Sequence, residues 1–197
     1  MGAAAGAPAG EHHEIVVVRH GETDWSLSGR HTSRTDLPLT ERGRERARGL
    51  APVLAGWRFS LVLCSPLLRA RETCELAGFG DVAEICDDLH EWDYGEYEGL
   101  TTPEIWERDP NWSLWRDGCP GGETPRQVGA RADRVLERLR AADGDAAAFA
   151  HGHILRVVTA RRLAMEVAEG ARFALGAGSI GVLGFERDTE VLSRWNA

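Results

Sequence analysis

Four short polar clusters in this 197-residue chain carry the residue types that handle anions and protons. Arg19-His20-Gly21-Glu22-Thr23 presents a cation, an imidazole and a flexible glycine directly after the apolar run Ile15-Val16-Val17-Val18. Ser65-Pro66-Leu67-Leu68-Arg69-Ala70-Arg71-Glu72-Thr73 offers a second arginine. Leu89-His90-Glu91-Trp92-Asp93-Tyr94-Gly95 sets a carboxylate beside an aromatic ring, and His151-Gly152-His153 follows the small apolar run Ala146–Ala150. An imidazole beside arginines stays neutral and nucleophilic near pH 7, because neighbouring cations disfavour its protonated form. Arginine forks and a second imidazole suit a phosphoryl transition state, whose charge spreads over its equatorial oxygens. The departing alkoxide then needs a proton. Glu91 suits that task if apolar neighbours such as Trp92 favour its protonated form.

Histidine and glutamate are also metal ligands, but two arginines oppose a divalent cation and no His-x-x-x-His or Asp-rich spacing occurs. The clusters are therefore read as a site with no metal and no cofactor. Taken singly, each has a plain structural reading. Arg69 could be a surface arginine, Glu91 is one of 31 acidic residues, and His151 could be a hydrogen-bonded core histidine. Their convergence is what carries the argument.

The elements that must produce that convergence can be read from periodicity and punctuation. Ile15–Val18 has the β-branched density of a strand buried on both faces. Thr40 caps a helix over Glu41–Ala55, with Ala47, Leu50, Ala51 and Leu54 on one face. Leu61–Cys64 is a short strand, and Ser65-Pro66 reads as an N-cap and first-turn proline opening a helix through about Ala77. A third extended piece is expected near Val82–Leu89. Gly95–Thr124 is irregular, with a short helix at Pro103–Arg108. Pro125–Ala141 is an amphipathic helix, Ala146–Ala150 a buried strand, Ile154–Met165 a helix, and Ile180–Glu186 and Glu190–Trp195 a closing pair of strands. This alternation predicts an α/β three-layer sandwich, a mostly parallel central sheet with helices on both faces. The C-terminal ends of parallel strands share one edge, so clusters some 130 residues apart in sequence meet in one crevice.

Length and composition set the limits. One domain is expected over residues 13–197, preceded by an Ala/Gly/Pro-rich disordered tail at 1–12. The formal net charge of -8 argues against a nucleic-acid partner. Every one of the 23 basic residues is arginine, so any oxyanion clamp is built from two-point forks. Cys64, Cys74, Cys86 and Cys119 show no zinc-like or Cys-x-x-Cys spacing and read as free thiols in a reducing cytoplasm. No apolar run approaches the roughly 20 residues that span a bilayer. The first ten residues lack the basic start and hydrophobic segment of a signal peptide, so a cytoplasmic protein without membrane contact is expected. A homodimer is left open.

The same clusters resemble the signatures of the histidine phosphatase superfamily, the phosphoglycerate-mutase-like enzymes, over most of the chain from Ile15 to about Glu186. That resemblance implies that His20 becomes phosphorylated, that Arg19, Arg69 and His151 form the phosphate pocket, and that Glu91 is the acid–base carboxylate. Pro120-Gly121-Gly122-Glu123-Thr124 is typical of its phosphatase members. Mutases of the family tend to carry an inserted basic stretch, whereas Trp106 to Trp115 offers Arg108 alone, and Trp92 stands where mutases usually place arginine. Both departures favour water as phosphoryl acceptor. Trp25 to Thr32, Trp92 to Gly95 and Ala150 to His153 look most like the sedoheptulose-bisphosphatase-like branch, although Ser33 replaces the glycine usual there. The resemblance thus implies a metal-independent phosphomonoesterase acting on a small phosphorylated metabolite such as a sugar phosphate or bisphosphate. Ser26, His31, Thr32, Ser33, Trp92, Gly152 and His153 are the expected substrate-binding residues. Mutase-type transfer and a non-catalytic phospholigand-binding protein are the alternatives. The tryptophans between Trp92 and Trp115 serve either as an aromatic cap over the pocket or as core.

Overall fold

In the computed structural model, which describes residues 12–197, strands and helices alternate for most of the chain. Their order is β1 (Ile15–Arg19), α1 (Asp24–Ser28), α2 (Glu41–Leu54), β2 (Leu61–Cys64), α3 (Leu68–Leu76), β3 (Glu84–Ile85), α4 (Thr102–Trp106), α5 (Leu114–Asp117), α6 (Pro125–Arg140), β4 (Ala146–Ala150), α7 (Gly152–Arg162), β5 (Ile180–Glu186) and β6 (Thr189–Trp195). The six strands form one sheet in the order β3-β2-β4-β1-β5-β6. The first four of that order run parallel to one another, while β5 and β6 close the sheet antiparallel.

Alternate residues along each strand feed two separate cores, as the two-residue period of a pleated strand requires. Ile15, Val17, Leu63, Ala146 and Ala148 pack with Val128, Val135 and Leu139 of α6 and with Ile154 and Val158 of α7. Val16, Val18, Val62, Cys64 and Phe149 pack with Leu50 and Leu54 of α2 and with Ala70 and Cys74 of α3. The result is the expected three-layer α/β sandwich. Strand β4, Ala-Ala-Ala-Phe-Ala, lies in the middle, where its methyl groups leave little volume between sheet and helices. All four cysteines are buried and unpaired. Among the described residues no helix is long and apolar enough to cross a membrane.

Two local expectations change. Ser65 does not cap α3: the helix starts at Leu68 after Leu67, which makes no side-chain cap bond. The first helical N–H, that of Leu68, is taken instead by Asp36 Oδ1 at 2.7 Å. Of the extended piece expected at Val82–Leu89, only Glu84–Ile85 joins the sheet, between 3-10 turns at Gly80–Val82 and Asp87–Leu89. The Asp87-Asp88 pair favours a turn over a ladder, and a two-residue edge offers little for another chain to pair with. The tail expected at 1–12 falls outside the described residues except for His12, whose ring stacks on Phe185 at 4.1 Å.

Two glycines let the loop that follows β1 lie against a helix. A Cβ on Gly43, in the first turn of α2, would sit 2.3 Å from the Glu22 carbonyl oxygen, and one on Gly21 would sit 2.6 Å from the Gly43 carbonyl oxygen. Backbone meets backbone there, with no flexible side chain to yield. Gly49, in the same helix, faces open space. Gly43→Ala is therefore expected to destabilise the fold by about 1–3 kcal/mol through overpacking. Gly49→Ala should be neutral or stabilising by up to about 1 kcal/mol, since it relieves only glycine's entropic cost. Thermal melts of the two variants check this; equal melting temperatures would show that the α2–loop contact is not tight.

Candidate active site

Strand register brings the distant clusters together. Arg19 pairs with Ala150 across β1 and β4, so the residues that follow, His20 and His151, emerge side by side. The His20 N–H continues the ladder to the Ala150 carbonyl at 2.9 Å, and the two imidazole centroids lie 5.1 Å apart. Cys64 pairs with Phe149 across β2 and β4, and the Ser65 N–H bonds the Phe149 carbonyl at 2.9 Å. Ser65 therefore reaches His151 from the other side: its Oγ lies 2.7 Å from His151 Nε2.

Hydrogen bonding settles the proton positions on both rings. His20 Nδ1 lies 2.7 Å from the Gly21 carbonyl oxygen, which can only accept. Nδ1 therefore carries the proton and Nε2 the lone pair. Burial first, then the charges of Arg19 and Arg69, push the His20 pKa well below its ordinary value. His151 Nδ1 lies 3.1 Å from Arg69 Nε, which can only donate, so His151 Nε2–H donates to Ser65. Burial and Arg69 likewise hold His151 neutral. With both nitrogens occupied, His151 is oriented from beneath and has no free N–H in this arrangement.

Arg69 is wholly buried on the first turn of α3. Its fork donates to the carbonyls of Thr35 (3.2 Å), Thr32 (3.1 Å) and Ser33 (3.2 Å), drawing the loop that follows β1 inward. Arg19 donates through one terminal nitrogen to the Leu175 carbonyl, while its buried Nε has no partner among the described residues. Its guanidinium rests against Gly152, where a Cβ would come within 3.3 Å of it. Burial lowers the pKa of both arginines, and Glu91 opposes that in each case.

Glu91 acts as the cap of α7. The N-cap residue, His151, makes no side-chain cap bond. Instead Glu91 Oε1 accepts from the N–H groups of Trp92 and Ile154, each at 2.9 Å, and Oε2 accepts from that of His153 at 2.9 Å. A helix N-terminus favours such an anionic partner. Three of the roughly four lone-pair positions of the carboxylate are filled, which leaves one on Oε2. The Trp92 ring is not the partner the sequence suggested. Its N–H turns to the Glu123 carbonyl at 2.9 Å, and the residue is fully buried in the core.

A cavity of about 230 Å³ opens over these groups. Of the expected residues, Arg19, His20, Glu91, Ser26, His31, Thr32, Gly152 and His153 line it. Arg69 and His151 form the buried layer beneath, and Trp92 and Ser33 do not reach the surface of the cavity. Ser33 is held back because its N–H bonds Glu98 at 2.9 Å and its carbonyl accepts from Arg69. No tryptophan lines the cavity, so the aromatic-cap reading gives way to core packing for Trp92 and Trp112. Tyr94, Arg30 and Arg156 line it without having been singled out. A signal existed for Arg156, one helical turn beyond His153 on the same face of α7. Among the described residues no three His, Cys, Asp or Glu side chains group as metal ligands.

The family model described as histidine phosphatase superfamily (branch 1) matches residues 15–197. The chain belongs to that superfamily. An acid phosphatase of Mycobacterium tuberculosis is 43% identical over 188 residues, covering 92% of this chain and 91% of that protein. A sedoheptulose 1,7-bisphosphatase of Saccharomyces cerevisiae is 38% identical over 177 residues, covering 74% of this chain and 65% of that one. The solved structure of an open reading frame from Mycobacterium tuberculosis superposes with a TM-score of 0.89 at 42% identity, covering 93% and 97% of the two chains. This histidine phosphatase is accordingly a phosphatase in activity.

Its neutral buried histidines tie stability to pH. The pKa values of His20, His151 and His153 are all pushed well below the ordinary 6.5, chiefly by burial. Below pH 6.5 the unfolded chain binds protons that the folded histidine phosphatase does not, so their contribution is complete above that pH and is lost as pH falls toward the folded-state values. The melting temperature of the free enzyme should therefore fall between pH 7 and pH 5. A flat profile over that interval would show that these rings protonate freely in the folded state.

Proposed function

We propose that the enzyme is a metal-independent phosphomonoesterase working through phospho-His20 on small phosphorylated metabolites, foremost sugar phosphates and bisphosphates. The observation that carries this reading is the pinned tautomer of His20. Its Nδ1–H is spent on the Gly21 carbonyl, so a lone pair on Nε2 is available beside Arg19, whose buried Nε awaits an acceptor. In the first step Nε2 attacks phosphorus and the bond to the ester oxygen breaks. That oxygen leaves with the electron pair and takes a proton from the Glu91 carboxyl. Arg19 holds the equatorial oxygens, backed by the charge of Arg69, whose Nε is kept in place by His151. In the second step Glu91, now a carboxylate, takes a proton from water as the water oxygen attacks phosphorus. The Nε2–P bond breaks and inorganic phosphate departs.

Water as acceptor is supported by the cavity wall, to which the 106–115 segment contributes no side chain. The low pKa of His20 keeps the nucleophile neutral into the acid range, which agrees with similarity to an acid phosphatase. Two further arginines support a substrate with a second anionic group, as does similarity to a sedoheptulose 1,7-bisphosphatase. Arg30 is anchored to the Gly99 carbonyl at 2.6 Å, and Arg156 to the Gly170 and Ala171 carbonyls at 2.9 and 2.8 Å. Each has N–H groups to spare for the cavity.

The test is a panel of sugar mono- and bisphosphates with the parent enzyme, His20→Ala and Arg156→Met, run with and without chelator. His20→Ala should lose at least about 10³-fold, since spontaneous phosphate-monoester hydrolysis is among the slowest of reactions. Arg156→Met should raise KM for bisphosphates by about 10-fold or more, the loss of one charge-assisted bond, and change monophosphates little. Full activity in His20→Ala, or loss of parent activity on chelation, would overturn the reading.

A further inference from the structure

Glu91 sits in a segment without regular structure, residues 90–94, that must nevertheless hold its carboxylate steady. The backbone of that segment is tied to one ion pair outside the cavity lining. Arg131 of α6 is only 7% exposed, and its Nε and one terminal nitrogen grip the two carboxylate oxygens of Glu123 at 2.7 Å each. The other terminal nitrogen donates to the carbonyls of Asp88 (2.6 Å) and His90 (3.0 Å), and the first lies 3.5 Å from the Glu91 carbonyl. Glu123 fastens the far side. Its Oε2 accepts from the Asp93 N–H at 2.9 Å, its own N–H donates to the Asp93 carbonyl at 2.9 Å, and its carbonyl accepts from the Trp92 ring.

Backbone groups at 88, 90 and 93 thus converge on one pair from both sides of Glu91. The neighbouring glycines permit this close approach. A Cβ on Gly122 would lie 2.2 Å from the Asp93 carbonyl oxygen, and Gly95, at φ +50°, would meet the Pro120 carbonyl at 2.2 Å. Glu91 is therefore held twice: its backbone by α6 through Arg131, and its carboxylate by the N-terminus of α7.

We infer that the Arg131–Glu123 pair positions Glu91 for proton delivery to the leaving oxygen. The inference rests on the reading of Glu91 as proton donor. A pair serving stability alone would be spent on the core at large, and buried pairs of that kind are often replaceable without loss. Here every bond that Arg131 makes goes to Glu123 or to the backbone carrying Glu91.

The experiment compares kcat/KM, which reports phosphorylation of the enzyme, for an alkyl phosphate and for nitrophenyl phosphate. The nitrophenolate leaves without a proton and so bypasses the acid. Glu91→Gln sets the reference and should lose about 10²- to 10⁴-fold on the alkyl ester, and far less on the aryl ester. Arg131→Met and Glu123→Gln should show the same selectivity at smaller size, roughly 10- to 100-fold on the alkyl ester and under about threefold on the aryl ester. Arg131→Lys should lie between parent and Arg131→Met. If Arg131→Met does not fold, Glu123→Gln and Arg131→Lys carry the test. Equal losses on both esters in these variants, with Glu91→Gln selective, overturn the positioning role alone. Equal losses in Glu91→Gln overturn the proton-donor reading as well.

Discussion

Two buried guanidinium groups at the strand ends, Arg19 and Arg69, constrain everything around them. Withdrawing such a charge from water costs several kcal/mol unless polar groups replace the solvent. The chain supplies them as carbonyls: Thr32, Ser33 and Thr35 turn inward to Arg69, and Leu175 turns to Arg19. That demand shapes the loop between β1 and α2, and Gly21 and Gly43 allow the loop to settle against the helix. Burial first, and then the same positive field, keeps His20 and His151 neutral. In the proposed mechanism an incoming phosphoryl dianion relieves that field, so ligand binding and the electrostatic strain of the free site become two sides of one arrangement.

Glu91 is the counterweight. Its carboxylate faces both arginines electrostatically and also closes the N-terminus of α7. One side chain thereby links the β1–β4 strand ends, the helix that follows His151, and the segment fastened by α6. The division of labour is physical. Strand register places His20, helix α7 holds Glu91, and the cavity beyond them is left to Arg30, Arg156, His31 and His153.

What the sequence disclosed and what it hid follow one rule. Features encoded locally were legible: the β-branched burst before Arg19, the Thr40 cap, the helical face of Pro125–Arg140, and the polar clusters at strand ends. Features that depend on who arrives from elsewhere were not. Ser65 looked like a helix cap because Ser-Pro usually is one, yet the β2–β4 register delivers its hydroxyl to His151. Trp92 looked like a pocket residue from its place beside Glu91, but the indole turns to Glu123, 31 residues away. Arg131 lies on an amphipathic helix where an arginine ordinarily faces water, and only the folded chain shows the carboxylate and carbonyls it meets. The edge strand shrank to two residues because turn-forming aspartates follow it.

The central claim is that hydrogen bonding pins the His20 tautomer and so chooses the nitrogen that does the chemistry. Rapid denaturing quench during turnover, followed by phosphorus and nitrogen NMR of the isolated phosphopeptide, tests it directly. The account predicts a single acid-labile phosphoryl group on Nε2 of His20. A phosphoryl group on Nδ1, or on any other residue, would contradict it.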